Sequence, residues 1–213
     1  MKPVLSILEG KWFSNRHVSV RELFSPLFNV WADNVQTDYH YEQFTNKEAF
    51  RAGVTYALEK NRASTVYIGA HGTEDCLRGF HGQPISRAYI RNSFINNGAN
   101  TLRGVYFGAC SFGTWKNAKF VFDKCPRVAW MAGYDKETDW VDSGALDLFF
   151  LRHFLFPTPE GRRKKKSSKV FDKLSYACDQ ISGDMPNLAH RLGFHVFAKV
   201  GGDIVDLMAN ADR

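Results

Sequence analysis

Two segments of this chain place a reactive side chain directly after an apolar run. Val66-Tyr67-Ile68-Gly69-Ala70 is followed by His71-Gly72, and Val105-Tyr106-Phe107-Gly108-Ala109 is followed by Cys110-Ser111. A thiolate attacks an acyl carbon, and an imidazole stabilises the thiolate or protonates the leaving amine, so this pair is sufficient for hydrolysis through a cysteine nucleophile. Gly72 lets the backbone approach a substrate closely. Its N–H, together with that of Cys110, can bind the developing oxyanion. A helix opening just after Cys110 would add a positive field that favours the thiolate.

The pair is useful only if the fold brings the two run ends together. Both runs, and a third at Val128-Ala129-Trp130-Met131-Ala132, are continuously apolar, as strands buried on both faces are. Helix-like stretches alternate with them in a βαβ rhythm. Thr45 and Glu48 fit a capping box for a helix carrying Phe50, Val54 and Leu58, and a second helix is expected over 86–97 with Gly98 as its stop. Asp142 or Ser143 is expected to cap the apolar segment ALDLFFLRHFLF. PVLSILE and TDYHYEQF could supply two further strands, and FHVFAKV-GG-DIVDLM reads as a hairpin near a sheet edge. Right-handed crossovers carry parallel strands out of the sheet at one edge, and neighbours lie about 4.8 Å apart. His71 and Cys110 would then face each other at strand tips, where α/β sheets place their functional groups.

The bulk composition fits one domain over 1–213. Hydrophobic residues make up 44% and include 18 Phe, enough for a large core. No apolar run approaches the roughly 20 residues that cross a bilayer, no secretory leader is evident at the N-terminus, and the chain reads as cytoplasmic. Of the four cysteines, Cys125 and Cys178 read as small buried hydrophobes, and the spacings match no metal pattern. No cofactor or metal is implied. The net charge of +6 is confined: residues 162–169 hold six of the 28 Lys and Arg, and without them it is zero. Residues 157–168 therefore read as an exposed basic loop, and the fold itself offers no broad basic face for nucleic acid.

The segments VYIGAHG and VYFGACSFG, followed by VAWMAGYDKETDW and DSGALDLFFLRHF, resemble the caspase-like (clan CD) cysteine peptidases, most of all the CHAT domains and the separases. The resemblance spans residues 64–154. It implies an α/β three-layer sandwich with a mainly parallel six-stranded sheet, its last strand antiparallel, and helices on both faces. It also implies His71 as the catalytic histidine and Cys110 as the nucleophile. In separase-like enzymes an acidic residue after the third of these strands receives a basic substrate side chain, and Asp135 corresponds to it. Asp139 and Glu137 stand nearby, and Gly108 would leave room beside the nucleophile. His81-Gly82 follows a polar segment rather than an apolar strand and reads as loop-borne.

The sequence thus points to a cysteine endopeptidase, with cleavage after Arg or Lys as the expected preference. Its partners would be protein or peptide substrates and a regulatory protein. The exposed run Arg162–Lys166 would be a self-cleavage site under that preference. The main alternative is a catalytically silent caspase-like interaction domain. An α/β-hydrolase with a Cys elbow would need G-x-C-x-G, and Gly108-Ala109-Cys110-Ser111-Phe112-Gly113 has one residue too many.

Overall fold

The apolar runs form the middle of one sheet. The computed structural model describes residues 5–12, 18–32, 39–95, 101–156 and 170–209. Its principal strands are β1 (Leu5–Gly10), β2 (Tyr39–Phe44), β3 (Thr65–Gly69), β6 (Gly104–Gly108), β7 (Trp130–Tyr134), β8 (Phe194–Val200) and β9 (Asp203–Asp206), and a short hairpin, β4 (Cys76–Arg78) and β5 (Pro84–Ser86), follows β3. The seven pair in the order β2-β1-β3-β6-β7-β8-β9. The first five are parallel to one another, β8 runs antiparallel to β7, and β9 runs antiparallel to β8. The sheet thus has seven strands, one more than expected, and the antiparallel edge is a hairpin rather than a single strand. Gly201 and Gly202 make its turn, both with positive φ.

Helices cover both faces because the strand side chains alternate between two apolar clusters. One cluster joins Tyr67, Tyr106, Trp130 and Tyr134 to α1 (Val20–Ala32), α5 (Trp140–Leu155), α6 (Val170–Asp184) and α7 (Pro186–Leu192). The other joins Val66, Ile68, Val105, Phe107 and Met131 to α2 (Lys47–Thr55), α3 (Arg87–Ile95) and α4 (Trp115–Phe122). Cys125 and Cys178 are buried in this packing, as their type predicts. The stop expected at Gly98 and the basic segment 157–168, with its Arg162–Lys166 run, lie outside the described residues.

Two helix starts differ from the sequence reading. The cap of α2 is Asn46, not Thr45; its side chain accepts from the Ala49 N–H at 2.8 Å. Helix α5 starts ahead of Asp142: Asp139 caps it, accepting from the N–H groups of Val141 and Asp142. In both places several capping types stand in a row, and local preference alone does not choose among them.

The first face carries a polar cluster within its apolar packing. Asp147 of α5 is buried and accepts hydrogen bonds from Tyr67 (2.6 Å), Tyr134 (2.5 Å) and Tyr106, side chains of three adjacent strands. Tyr67 reaches it by passing over Gly108. A Cβ at Gly108 would lie 2.0 Å from the Tyr67 hydroxyl oxygen. Tyr67 cannot easily give way, since its ring is stacked on Tyr106 and edge-on to Phe24. Gly108→Ala is therefore expected to destabilise the fold by roughly 1–3 kcal/mol in urea denaturation. Gly183→Ala, in α6 with nothing within 4 Å of the new Cβ, should be neutral or stabilising by up to about 1 kcal/mol.

Candidate active site

The register of β3 on β6 decides the geometry of the site. Gly69 pairs with Gly108, and the Ala70 N–H donates to the Gly108 carbonyl at 3.3 Å. His71 and Cys110 therefore leave the sheet at the same edge on neighbouring strands. The backbones touch immediately beyond: a Cβ on Gly72 would lie 2.6 Å from the Cys110 carbonyl oxygen. Gly72 is thus glycine because it rests on the peptide of Cys110, whereas the sequence reading assigned that close approach to a substrate.

The two side chains are held by opposite neighbours. The Nε2 of His71 lies 2.9 Å from the Trp12 carbonyl oxygen, just after β1, and the Trp12 ring meets the imidazole edge-on at 5.2 Å. A carbonyl only accepts, so Nε2 carries a proton in this contact. Cys110 is half-buried. Its Sγ accepts from the Thr138 N–H at 3.4 Å and stands 3.5 Å from the Thr138 Oγ1, on the loop after β7. The imidazole is thus held toward the β1 side and the thiol toward the β7 side.

The loops that present this pair are fastened by buried polar groups. Glu9, at the end of β1, is fully buried. Its Oε1 accepts from Trp12 Nε1 (2.5 Å) and the Val20 N–H (2.8 Å), and its Oε2 from Ser19 (2.6 Å) and Tyr41 (2.5 Å). Burial, and then the bond to Glu9, push the Tyr41 phenol up to about 12. Trp12, which carries the carbonyl that orients His71, is thereby fixed. On the other side, buried Asn117 donates to the carbonyls of Glu74 (2.7 Å) and Phe112 (3.0 Å), tying the loop after His71 to the turn after Cys110. That turn holds Ser111 at φ 56°, and Ser111 and Gly113 donate to the carbonyls of Lys136 and Tyr134. Neither Glu9 nor Asn117 was singled out from sequence, although an acid closing the apolar run LSILEG was a visible anomaly.

Several expected roles change. Helix α4 begins at Trp115 with Thr114 as its cap, too far on for its first turn to act on Cys110, since the field of a helix end decays within a turn. Gly108 leaves no space for substrate, because Tyr67 fills it. Asp139 caps α5. Asp135 turns to β8, away from β6, where its carboxylate lies 3.2 Å from His195 Nε2. Glu137 is exposed on the turn between them. Asp135 and Asp139, expected to receive a basic side chain, are thus engaged elsewhere, which weakens the case for a preference for Arg or Lys.

His195 is bracketed by two carboxylates, with Asp206 2.6 Å from its Nδ1. Burial pulls its pKa down, but the Asp206 bond and charge, then those of Asp135, outweigh this and raise it above the ordinary value. Among the described residues no group of three or more His, Cys, Asp or Glu could hold a metal ion, and no helix is long and apolar enough to cross a membrane. No protein-family model and no curated protein matches this chain.

Two predictions follow from these contacts. Glu9→Gln offers one accepting oxygen where two now serve four donors, and should lower stability by about 1–3 kcal/mol in urea titration; Glu48→Gln, exposed on α2, should not. The His195 contribution carries the opposite sign from a salt-bridged acid. A raised folded pKa makes its stabilisation complete below the unfolded value near about 6.5 and lost as pH rises through the folded value. Unfolding free energy should therefore fall more steeply above about pH 6.5 in the wild type than in His195→Gln.

Proposed function

We propose that this chain is a cysteine endopeptidase acting through Cys110 and His71. One observation supports the reading: the β3–β6 register ends with Gly69 opposite Gly108, two residues before His71 and Cys110 respectively. The strand order supports a caspase-like arrangement more broadly. Five parallel strands followed by antiparallel β8 accord with the mainly parallel sheet that the resemblance implies, and β9 is an addition to it.

In this reading a substrate carbonyl enters between the two side chains. The Cys110 thiol passes its proton to His71 as the thiolate forms a C–S bond to the carbonyl carbon, and the N–H groups of Gly72 and Cys110 are the donors offered to the oxyanion. Protonated His71, its Nε2–H kept on the Trp12 carbonyl, gives the Nδ1 proton to the leaving amine as the C–N bond breaks. Water then hydrolyses the thioester with the imidazole as base, restoring the thiol. The Trp12 bond favours this division of labour, because it engages Nε2. Protein or peptide substrates are the partners of this chemistry, and a regulatory protein that restrains the activity is the further partner this reading expects.

The test is cleavage of a diverse quenched-peptide library by wild type, Cys110→Ala and His71→Ala. Nucleophile and acid act as one unit, so either loss should reduce turnover by about a thousandfold or more. A small thiol-reactive probe should label Cys110 ahead of buried Cys125, whose pKa burial raises to about 11. Cleavage by Cys110→Ala at the wild-type rate would exclude covalent catalysis by this residue. A folded wild type that cleaves nothing would favour the interaction-domain alternative.

A further inference from the structure

Two groups that could hold charge on the Cys110 sulfur are engaged away from it. Helix α4 opens at Trp115, too late for its field to reach the sulfur. One imidazole nitrogen of His71 is tied toward β1 by the Trp12 carbonyl. Among the described residues, every hydrogen-bond partner of the Cys110 Sγ belongs to Thr138. The Thr138 N–H donates to Sγ at 3.4 Å, its Oγ1 stands 3.5 Å away, and its carbonyl oxygen lies at 3.8 Å. Sulfur is a larger atom than oxygen, so separations of this size remain within hydrogen-bonding reach. The set serves both protonation states. A thiol S–H has the carbonyl or Oγ1 to donate to, and a thiolate has an N–H and an O–H to accept from.

Thr138 does not stand on a drifting loop, because the segment after β7 is fastened along its length. The N–H groups of Ser111 and Gly113 donate to the carbonyls of Lys136 (3.0 Å) and Tyr134 (2.7 Å). A Cβ on Gly113 would lie 2.2 Å from the Tyr134 nitrogen, so the turn after β6 rests directly on this backbone. On the other flank the Asp135 N–H donates to the Gly193 carbonyl at 2.9 Å, and the Asp135 carboxylate lies 3.2 Å from His195 Nε2. The Lys136 ammonium donates to the His190 carbonyl at 3.1 Å. At the far end Asp139 caps α5 through the N–H groups of Val141 and Asp142, and its own carbonyl accepts from Ser143. Thr138 sits between these anchors, and its N–H cannot turn from the sulfur without straining them. Donors fixed in advance stabilise a developing charge without reorganising.

We infer that Thr138 is the positioning residue of the nucleophile: its N–H and hydroxyl hold the Cys110 sulfur in place and stabilise the negative charge left when the proton departs. The inference rests on the proposed peptidase reading for the reaction, and deepens it. Any residue at 138 offers the main-chain donor, whereas only Thr or Ser offers the hydroxyl. Removing the hydroxyl has effects of opposite sign. Less of the sulfur is thiolate near neutrality, yet each thiolate, being less stabilised, is the stronger nucleophile. Attack by Cys110 is then slower near neutrality and no slower in alkali. A loop that had merely loosened would change the rate in one direction at every pH.

The experiment uses the full chain and does not require peptide cleavage. Wild type, Thr138→Val and Thr138→Ser are alkylated with iodoacetamide across the range in which thiols ionise, and modified Cys110 and Cys76 are quantified by mass spectrometry. Valine keeps the size and branching of threonine, and serine keeps the hydroxyl. In Thr138→Val, labelling of Cys110 near neutrality should be about threefold slower or more, with the half-maximal point moved up by about half a pH unit. Its alkaline plateau should equal or exceed that of the wild type. Thr138→Ser should restore the wild-type profile. Cys76, whose Sγ neighbours Thr73 instead, should label alike in all three proteins. An unshifted profile in Thr138→Val, a uniform change at every pH, or a serine variant that behaves like the valine one would overturn the role. The peptide library is run on the same samples. A shifted profile with no peptide cleaved by the wild type would sink the peptidase and leave the hold on the sulfur standing. Cleavage with an unshifted profile would sink the role of Thr138 and leave the peptidase. Should circular dichroism show Thr138→Val unfolded, Thr138→Ala takes its place with the same expected shift.

Discussion

A single buried carboxylate, Asp147, ties together the strands on which the candidate chemistry depends. It takes hydroxyl donors from Tyr67, Tyr106 and Tyr134, one each from β3, β6 and β7. His71, Cys110 and Thr138 follow those same strands in the chain. Burial pushes the Asp147 pKa up to about 6, with the three phenolic hydrogen bonds holding it down against that pull. A folded value above the unfolded one of about 3.9 means the group favours folding most in strong acid and loses that contribution as pH rises towards 6. Near neutrality, then, an ionised Asp147 is a poor way to gain stability, and an apolar side chain would serve stability better. What it does supply is register: its two oxygens accept the three hydroxyls only when all three strands stand level. The constraint reaches the site itself, since Gly108, two residues before Cys110, must lack a side chain for Tyr67 to pass.

A second carboxylate does the same for the loop that orients the imidazole. Glu9 satisfies four donors, and one of them, Trp12, supplies both the carbonyl and the ring edge against which His71 rests. Asn117 completes the set by joining the loops after His71 and Cys110 through two main-chain carbonyls. Each of these groups would be costly if left unpaired in the interior, by about 1–3 kcal/mol per donor or acceptor. Their mutual satisfaction is therefore an all-or-none condition, and loops fastened by such networks hold position where surface loops otherwise drift.

The parts legible in the sequence were those with a local signature. The runs VYIGA, VYFGA and VAWMA announced doubly buried strands by composition, and the Gly-Gly turn between FHVFAKV and DIVDLM announced the edge hairpin. Their order then placed His71 beside Cys110 without any contact being known. What stayed hidden depends on partners remote in the chain. Tyr67 and Asp147 are 80 positions apart, and Glu9 and Tyr41 are 32 apart. No window of sequence distinguishes a Tyr that packs from one that pins a buried acid. Gly108 was read as space because its filler comes from another strand. Asp135 and Asp139 were read as recognition groups because an acid near a nucleophile looks the same whether it faces substrate, caps a helix, or pairs with His195 on a strand some 60 residues later.

Net charge conceals the electrostatics that the fold creates. Outside the segment 162–169 the formal charges cancel, and composition alone argues for a neutral surface. Folding sorts them. Beyond the ends of β1 and β3 a crevice gathers Lys11 and Arg78 with no carboxylate on its described walls. Beyond β7 and β8, Asp135 and Asp206 enclose His195, with Lys136 beside them. Cys110 lies between the two, just past the end of β6. The sorting is a property of topology. It arises because parallel strands deliver every loop to one edge, where residues with no proximity in sequence are set in a fixed lateral order.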